Sequence, residues 1–112
     1  MGRGEYLGEF EQVVLLAIAR LEKDAYGMRV RAEIESRAGR RATIGAVYAT
    51  LERLVGKGYA WETEVPGGAE RSGLARRFYE ITPAGKGALE DARELQARMW
   101  SGLKLRPGGR RS

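Results

Sequence analysis

The chain of 112 residues has no cysteine and no histidine. The first absence excludes disulfides and thiolate metal sites. The second removes the commonest zinc ligand, Ser-His and Cys-His dyads, and the side chain best suited to proton transfer near neutral pH. Long hydrophobic runs are also missing. The most apolar stretch, Val13 to Ala19, is far too short to cross a bilayer. The segment from Met1 to Glu11 lacks the apolar core and small-residue cleavage site of a signal peptide. The expectation is a cytoplasmic protein with no metal, no cofactor, no membrane contact and no catalytic activity. Glu62 and Glu64 share one strand face but have no partner base. Gly67, Gly68 and Gly73 precede no helix start, so they do not form a phosphate-binding fingerprint.

What is present is charge, 31% of residues, and a net excess of +5. Residues 1–40 hold seven basic and seven acidic side chains, residues 41–86 seven and five, and residues 87–112 six and three. The positive excess therefore lies in the last two-thirds of a single-domain chain, which suits a polyanionic partner.

Apolar spacing sets the order of elements. Phe10, Val13, Val14, Ala17, Ile18 and Leu21 recur with helical period, while Leu15, Leu16 and Ala19 fill most of the remaining face. A helix apolar nearly all round needs cover on more than one side. Asp24 reads as the N-cap of a second helix, Ala25 to Ala38, with Tyr26, Val30 and Ile34 inward and Gly39 ending it. Arg29, Glu33 and Arg37 read as one i, i+4 charge ladder, and Arg31 with Glu35 as another. Thr43 caps a third helix, Ile44 to Lys57, whose buried stripe is Ile44, Val47, Leu51, Leu54 and Val55. After Gly58 the period drops to two. Tyr59–Val65 and Arg76–Ile81 predict a β-hairpin around a loop bearing Pro66, Gly67, Gly68 and Gly73. Thr82-Pro83 starts a fourth helix that runs to about Leu103. Gly85 and Gly87 weaken its first turn by about 1 kcal/mol each relative to alanine. Pro107–Ser112 is expected to be disordered.

Three helices and a hairpin is the order of a winged helix-turn-helix. The chain is mainly α, with that domain over residues 7–81, a C-terminal dimerisation helix over 82–103 and a basic tail over 104–112. The third helix turns Thr43, Gly45, Ala46, Ala49, Thr50 and Arg53 away from its apolar stripe, with Tyr48 at the border. Small residues permit close approach to a groove floor, and hydroxyls and arginine can meet bases or phosphates. Arg71, Arg76 and Arg77 lie in or beside the hairpin tip, where they would meet backbone phosphates or the minor groove. A solvated helix face and ordinary surface arginines are the plainer reading of each feature taken alone.

Five short segments in order add to this. Leu7-Gly8-Glu9-Phe10-Glu11-Gln12-Val13-Val14-Leu15-Leu16, Asp24-Ala25-Tyr26-Gly27, and Ile44 through Leu54 with Lys57-Gly58-Tyr59 are the first three. Arg76-Arg77-Phe78-Tyr79 and Ile81-Thr82-Pro83-Ala84-Gly85 complete the set. Through them the chain resembles the PadR family of transcriptional regulators, in its shorter branch, from Leu7 to about Leu103. The resemblance implies a homodimer joined through the last helix and the first, repressing by occupying a pseudo-palindromic double-stranded operator. In some members a phenolic or planar aromatic effector releases the DNA. Trp100, with Met99 and Leu15, marks the place where one would stack, although dimer packing is the simpler account of these side chains. Gly56 before Lys57-Gly58 and the Pro66–Ala75 segment depart from the family pattern. The alternative is a winged-helix protein-interaction module without sequence-specific DNA binding.

Overall fold

In the computed structural model, residues 6–66 and 76–105 are described. They form α1 (Glu9–Leu21), a 3-10 turn (Glu22–Asp24), α2 (Gly27–Ala38), α3 (Ile44–Gly56), β1 (Ala60–Val65), β2 (Arg76–Ile81) and α4 (Pro83–Trp100). The expected loop tip and the tail beyond Leu105 lie outside the described residues. No helix among them is long and apolar enough to cross a membrane.

The core forms where α1, α2 and α3 bring their stripes together: Val14, Leu15 and Ile18, then Val30 and Ile34, then Val47, Leu51 and Leu54. The antiparallel hairpin closes it, with Ala60 opposite Ile81 and Glu62 opposite Tyr79. Tyr79 and Ala60 bury their side chains against the helices.

Two boundaries differ from the sequence reading by two residues or more, while α3 ends at Gly56 and β1 begins at Ala60, each one residue inside the expected limit. Asp24 does not cap α2. The chain stays extended through Tyr26, because the Tyr79 amide donates to the Ala25 carbonyl at 2.8 Å and Tyr26 bridges Phe78. This pairing adds a third, one-residue rung to the sheet. α4 stops at Trp100 rather than near Leu103, where Gly102 takes a left-handed φ of 75°. The other caps follow expectation. Thr43 Oγ1 accepts from the Ala46 amide at 3.1 Å, and Thr82 Oγ1 accepts from the Gly85 amide at 2.9 Å. Thr82 also donates its hydroxyl proton to the Gly58 carbonyl at 2.7 Å, tying α4 to the end of α3.

Only the first part of α4 rests on the domain. Leu89 packs against the core, whereas every residue from Arg93 to Trp100 is exposed. The projecting helix gives the molecule extents of 61 × 34 × 20 Å.

Candidate nucleic-acid interface

Packing of α3 on its Val47, Leu51 and Leu54 stripe leaves Thr43, Gly45, Ala46, Tyr48 and Ala49 exposed. These five form a shallow strip over the first half of the helix. Gly27 adjoins it. A Cβ on Gly27 would run into the phenol end of Tyr48, so this glycine lets the start of α2 lie directly against that ring.

Thr50 and Arg53, read from the sequence as part of the same strip, do not face solvent together. Thr50 is 2% exposed, because it stands between Val47 and Leu54 on the inward stripe. Its hydroxyl accepts from Arg53 Nη2 at 3.2 Å. Arg53 also donates from Nε to Glu11 Oε2 at 3.1 Å. The guanidinium therefore leans back onto α1 rather than forward from α3.

Glu11 is the acceptor at the centre of this arrangement. It occupies the first turn of α1 and takes the Gly8 amide at 2.7 Å. Lys57 Nζ reaches both of its oxygens at 2.9 Å, and also donates to the Tyr6 carbonyl at 3.0 Å. Burial alone would push the Glu11 carboxyl up. The hydrogen bonds from Lys57, Gly8 and Arg53, with the nearby Lys57 charge, outweigh it and hold the group below the ordinary glutamate value. A carboxylate whose folded pKa is depressed contributes stability above its unfolded pKa, about 4.3, and loses it as pH falls through the lower folded value. Arg53 is half in water, which discounts its share. Glu11→Gln is accordingly expected to cost about 1–2 kcal/mol at pH 7. Urea unfolding at pH 7, 5 and 3.5 should show the gap between variant and wild type closing toward acid. A gap independent of pH contradicts the assignment.

The hairpin arginines are held differently. Arg76 lies 4.0 Å above the Tyr26 ring, a cation–π seat that fixes its stem. Arg77 Nε pairs with Glu62 at 3.0 Å. Exposed pairs of this kind contribute at most about 1 kcal/mol, so a phosphate can compete for the guanidinium. Arg71 lies outside the described residues.

The ladder on α2 forms only in part. Glu33 takes Arg37 at 3.2 Å and Arg20 of α1 at 3.5 Å, leaving Arg29 in the first turn without an ion pair among the described residues. Arg41, two residues before the cap of α3, is likewise exposed and unpaired among them. Arg41 precedes the exposed strip by two residues, and Arg29 stands two residues after Gly27, which abuts Tyr48 of that strip. The helical spacing had assigned Arg29 to Glu33, and no pattern pointed to Arg41.

The proposed ligand residues are not brought together within one chain. Leu15 is fully buried in the core, so it cannot line a binding surface. Its neighbour Leu16 is exposed instead and faces an open groove of about 660 Å³ between α1 and α4, lined also by Gln12, Leu89, Ala92 and Gln96. Met99 and Trp100 lie farther along α4, exposed, with Trp100 Nε1 donating to Gln96 Oε1 at 3.2 Å.

Comparison with known proteins follows the same line. The family model described as the transcriptional regulator PadR-like family matches residues 14–91. Among solved structures, a PadR-like transcription factor from Bacteroides fragilis superposes with a TM-score of 0.69 at 20% identity, covering 80% of this chain and 82% of that one. A PadR family transcription regulator from Clostridium difficile gives a TM-score of 0.64 at 20% identity, with 80% and 90% covered. A PadR-like transcriptional regulator from Bacillus cereus gives 0.64 at 21% identity, with 80% and 82% covered. At these identities the structures speak to the fold, which they share. No curated protein matches the chain significantly.

Proposed function

This chain belongs to the PadR-like family of transcriptional regulators, which are not enzymes, and on that premise we propose that it acts in the cytoplasm as a homodimeric repressor of a pseudo-palindromic DNA operator. The observation that carries this reading is the exposed strip of Thr43, Gly45, Ala46, Tyr48 and Ala49 on α3, set on the same domain as the arginine-bearing hairpin. Side chains as small as those of Gly45, Ala46 and Ala49 let a helix backbone come close to a groove floor. Two such helices, one per subunit, would enter successive major grooves about 34–36 Å apart. Arg76 and Arg77 would hold flanking phosphates, and Arg29 and Arg41 the backbone near the entering helix ends.

Selection of bound duplexes from a random pool with the purified protein tests the reading. An enriched inverted repeat supports it, and failure to retain any duplex at low ionic strength removes it. The arginine assignment has its own readout. Each neutralised phosphate contributes about 0.9 to the slope of log affinity against log salt. Arg76→Ala with Arg77→Ala is therefore expected to flatten that slope by about 2. An unchanged slope takes the hairpin out of the interface.

Release by a small planar aromatic or phenolic compound is a further part of the proposal. The groove between α1 and α4 supports it, with Leu16 on its wall and Trp100 available from a second subunit. Quenching of tryptophan fluorescence by such compounds, together with loss of duplex binding, is the expected signature.

A further inference from the structure

We propose that Gly27 is a positioning residue for DNA binding: its missing side chain holds the Tyr48 phenol where the hydroxyl donates to a backbone phosphate. This rests on the DNA-binding reading above, in which Tyr48 stands on the strip that meets the duplex. Gly27 closes the segment Asp24-Ala25-Tyr26-Gly27 and is the first residue of α2. Glycine is a poor helix former. Its usual licence, a left-handed φ, is not used here, since among the described glycines only Gly39, Gly58 and Gly102 take one. The reason for Gly27 is space. A Cβ there would fall 2.7 Å from Tyr48 Cε1 and closer still to Cζ and Oη. Gly85 is the other described glycine pressed this tightly, and its nearest obstacle is backbone. At Gly27 the three nearest atoms all belong to the end of one side chain.

That side chain is free at its tip. Tyr48 is 41% exposed, and its hydroxyl has no hydrogen bond to the described residues. A phenol can donate to a phosphate oxygen, and such a contact fixes a protein on the duplex whatever the sequence. With water on its outer side, the ring has somewhere to go. Alanine at position 27 therefore pushes the phenol outward by about 1 Å, to restore ordinary atomic separation. An O–H···O bond spans about 2.5–3.0 Å, so a shift of that size breaks it.

The same segment fixes the frame in which the hydroxyl is held. The Ala25 carbonyl accepts the Tyr79 amide at 2.8 Å, Tyr26 bridges Phe78, and the Tyr26 ring carries Arg76 at 4.0 Å. Three consecutive residues thus join β2 to α3, with the hairpin cation against one and the Tyr48 hydroxyl against the next. Packing, not a flexible side chain, sets the spacing between these two contacts.

Affinity for a mixed-sequence duplex of about 30 base pairs, read by fluorescence anisotropy at low salt, tests the role. It is expected to fall about tenfold in Tyr48→Phe and about tenfold in Gly27→Ala, the scale of one hydrogen bond to a charged group. The double variant should bind within about twofold of either single one, because the hydroxyl contact can be lost only once. The ring remains in Tyr48→Phe, so Gly27→Ala should shift the melting temperature equally in both backgrounds. A merely structural glycine would carry its binding loss into the phenylalanine background as well. The slope of log affinity against log salt should not change, since a neutral donor releases no counterion. Binding by Gly27→Ala or by Tyr48→Phe within about twofold of wild type overturns the proposal and leaves duplex binding intact. Losses that multiply to about a hundredfold in the double variant also overturn it, as does a flatter salt slope. Should Gly27→Ala fail to fold, Gly27→Ala with Tyr48→Ala removes the ring, and is expected to fold and to bind like Tyr48→Ala. A double variant that stays unfolded assigns the glycine to the backbone and overturns the proposal. A wild type that retains no duplex removes the parent reading first, and the positioning role with it.

Discussion

Alanine at position 85 is expected to destabilise the protein by about 2–3 kcal/mol, although local propensity points the other way. In a helix interior alanine is favoured over glycine by about 1 kcal/mol, and on that ground Gly85 reads as a weakness of α4. The structure reverses the sign. A Cβ on Gly85 would drive into the backbone carbonyl of Tyr59 and crowd the Ile81 side chain. That carbonyl cannot simply retreat, because it also accepts the Thr82 amide at 3.1 Å. Gly87 is the internal control. It sits two residues on in the same helix, and a Cβ there meets nothing within 4 Å. Gly87→Ala is therefore expected to stabilise by up to about 1 kcal/mol. Thermal unfolding followed by circular dichroism should place the two variants on opposite sides of wild type, with Gly85→Ala lower by on the order of 10 °C or more. Equal melting points would mean that the contact between α4 and the Tyr59 backbone does not set the stability of this joint.

Charging the projecting face of α4 is expected to have the largest effect on DNA binding. Leu95, Met99, Trp100 and Leu103 are all exposed on or just past the helix, and Leu16 is exposed on α1 beside the groove. Under the proposed dimeric reading these side chains meet their counterparts in a second copy. Leu95→Glu with Met99→Glu would place carboxylates within that contact, where burial without partners is strongly unfavourable. Sedimentation should then show a monomer. Operator affinity should fall by a factor of about 100 or more, since the second half-site no longer benefits from a high effective concentration. Far-UV circular dichroism should stay near wild type, because neither residue belongs to the core of its own domain. A doubly charged variant that sediments and binds like wild type would refute the role assigned to α4.

Much of the architecture was legible from spacing because it is local. The caps at Thr43 and Thr82, and the limits of β2 at Arg76 and Ile81, depend on neighbours within a few residues, and they fall where the pattern puts them. The start of α2 was not legible, since Tyr26 is held extended by β2 more than fifty positions later. Thr50 is a different kind of miss. Three residues after Val47 and four before Leu54, it lies on the buried stripe by period alone. Its hydroxyl suggested an outward role that the spacing did not support. Leu15 and Leu16 show how narrow the margin is: one step along a helix turns a side chain by about 100°, enough to exchange core for groove. Glu11 falls between these cases. Its distance from Val14, Leu15 and Ile18 places it inward, but its partners Arg53 and Lys57 stand 42 and 46 positions away, beyond any local pattern.

Under the proposed dimeric reading, the long overhang of α4 would also act as a lever. Eighteen residues of helix extend about 27 Å, and the fulcrum is its first turn, where Gly85 rests on the Tyr59 carbonyl. A tilt of about 8° at that foot swings the far end by about 4 Å, close to the ~3.4 Å step between base pairs. In a dimer joined along this arm, a sub-ångström adjustment under Gly85 would be enough to move two DNA-reading heads into or out of step with their half-sites.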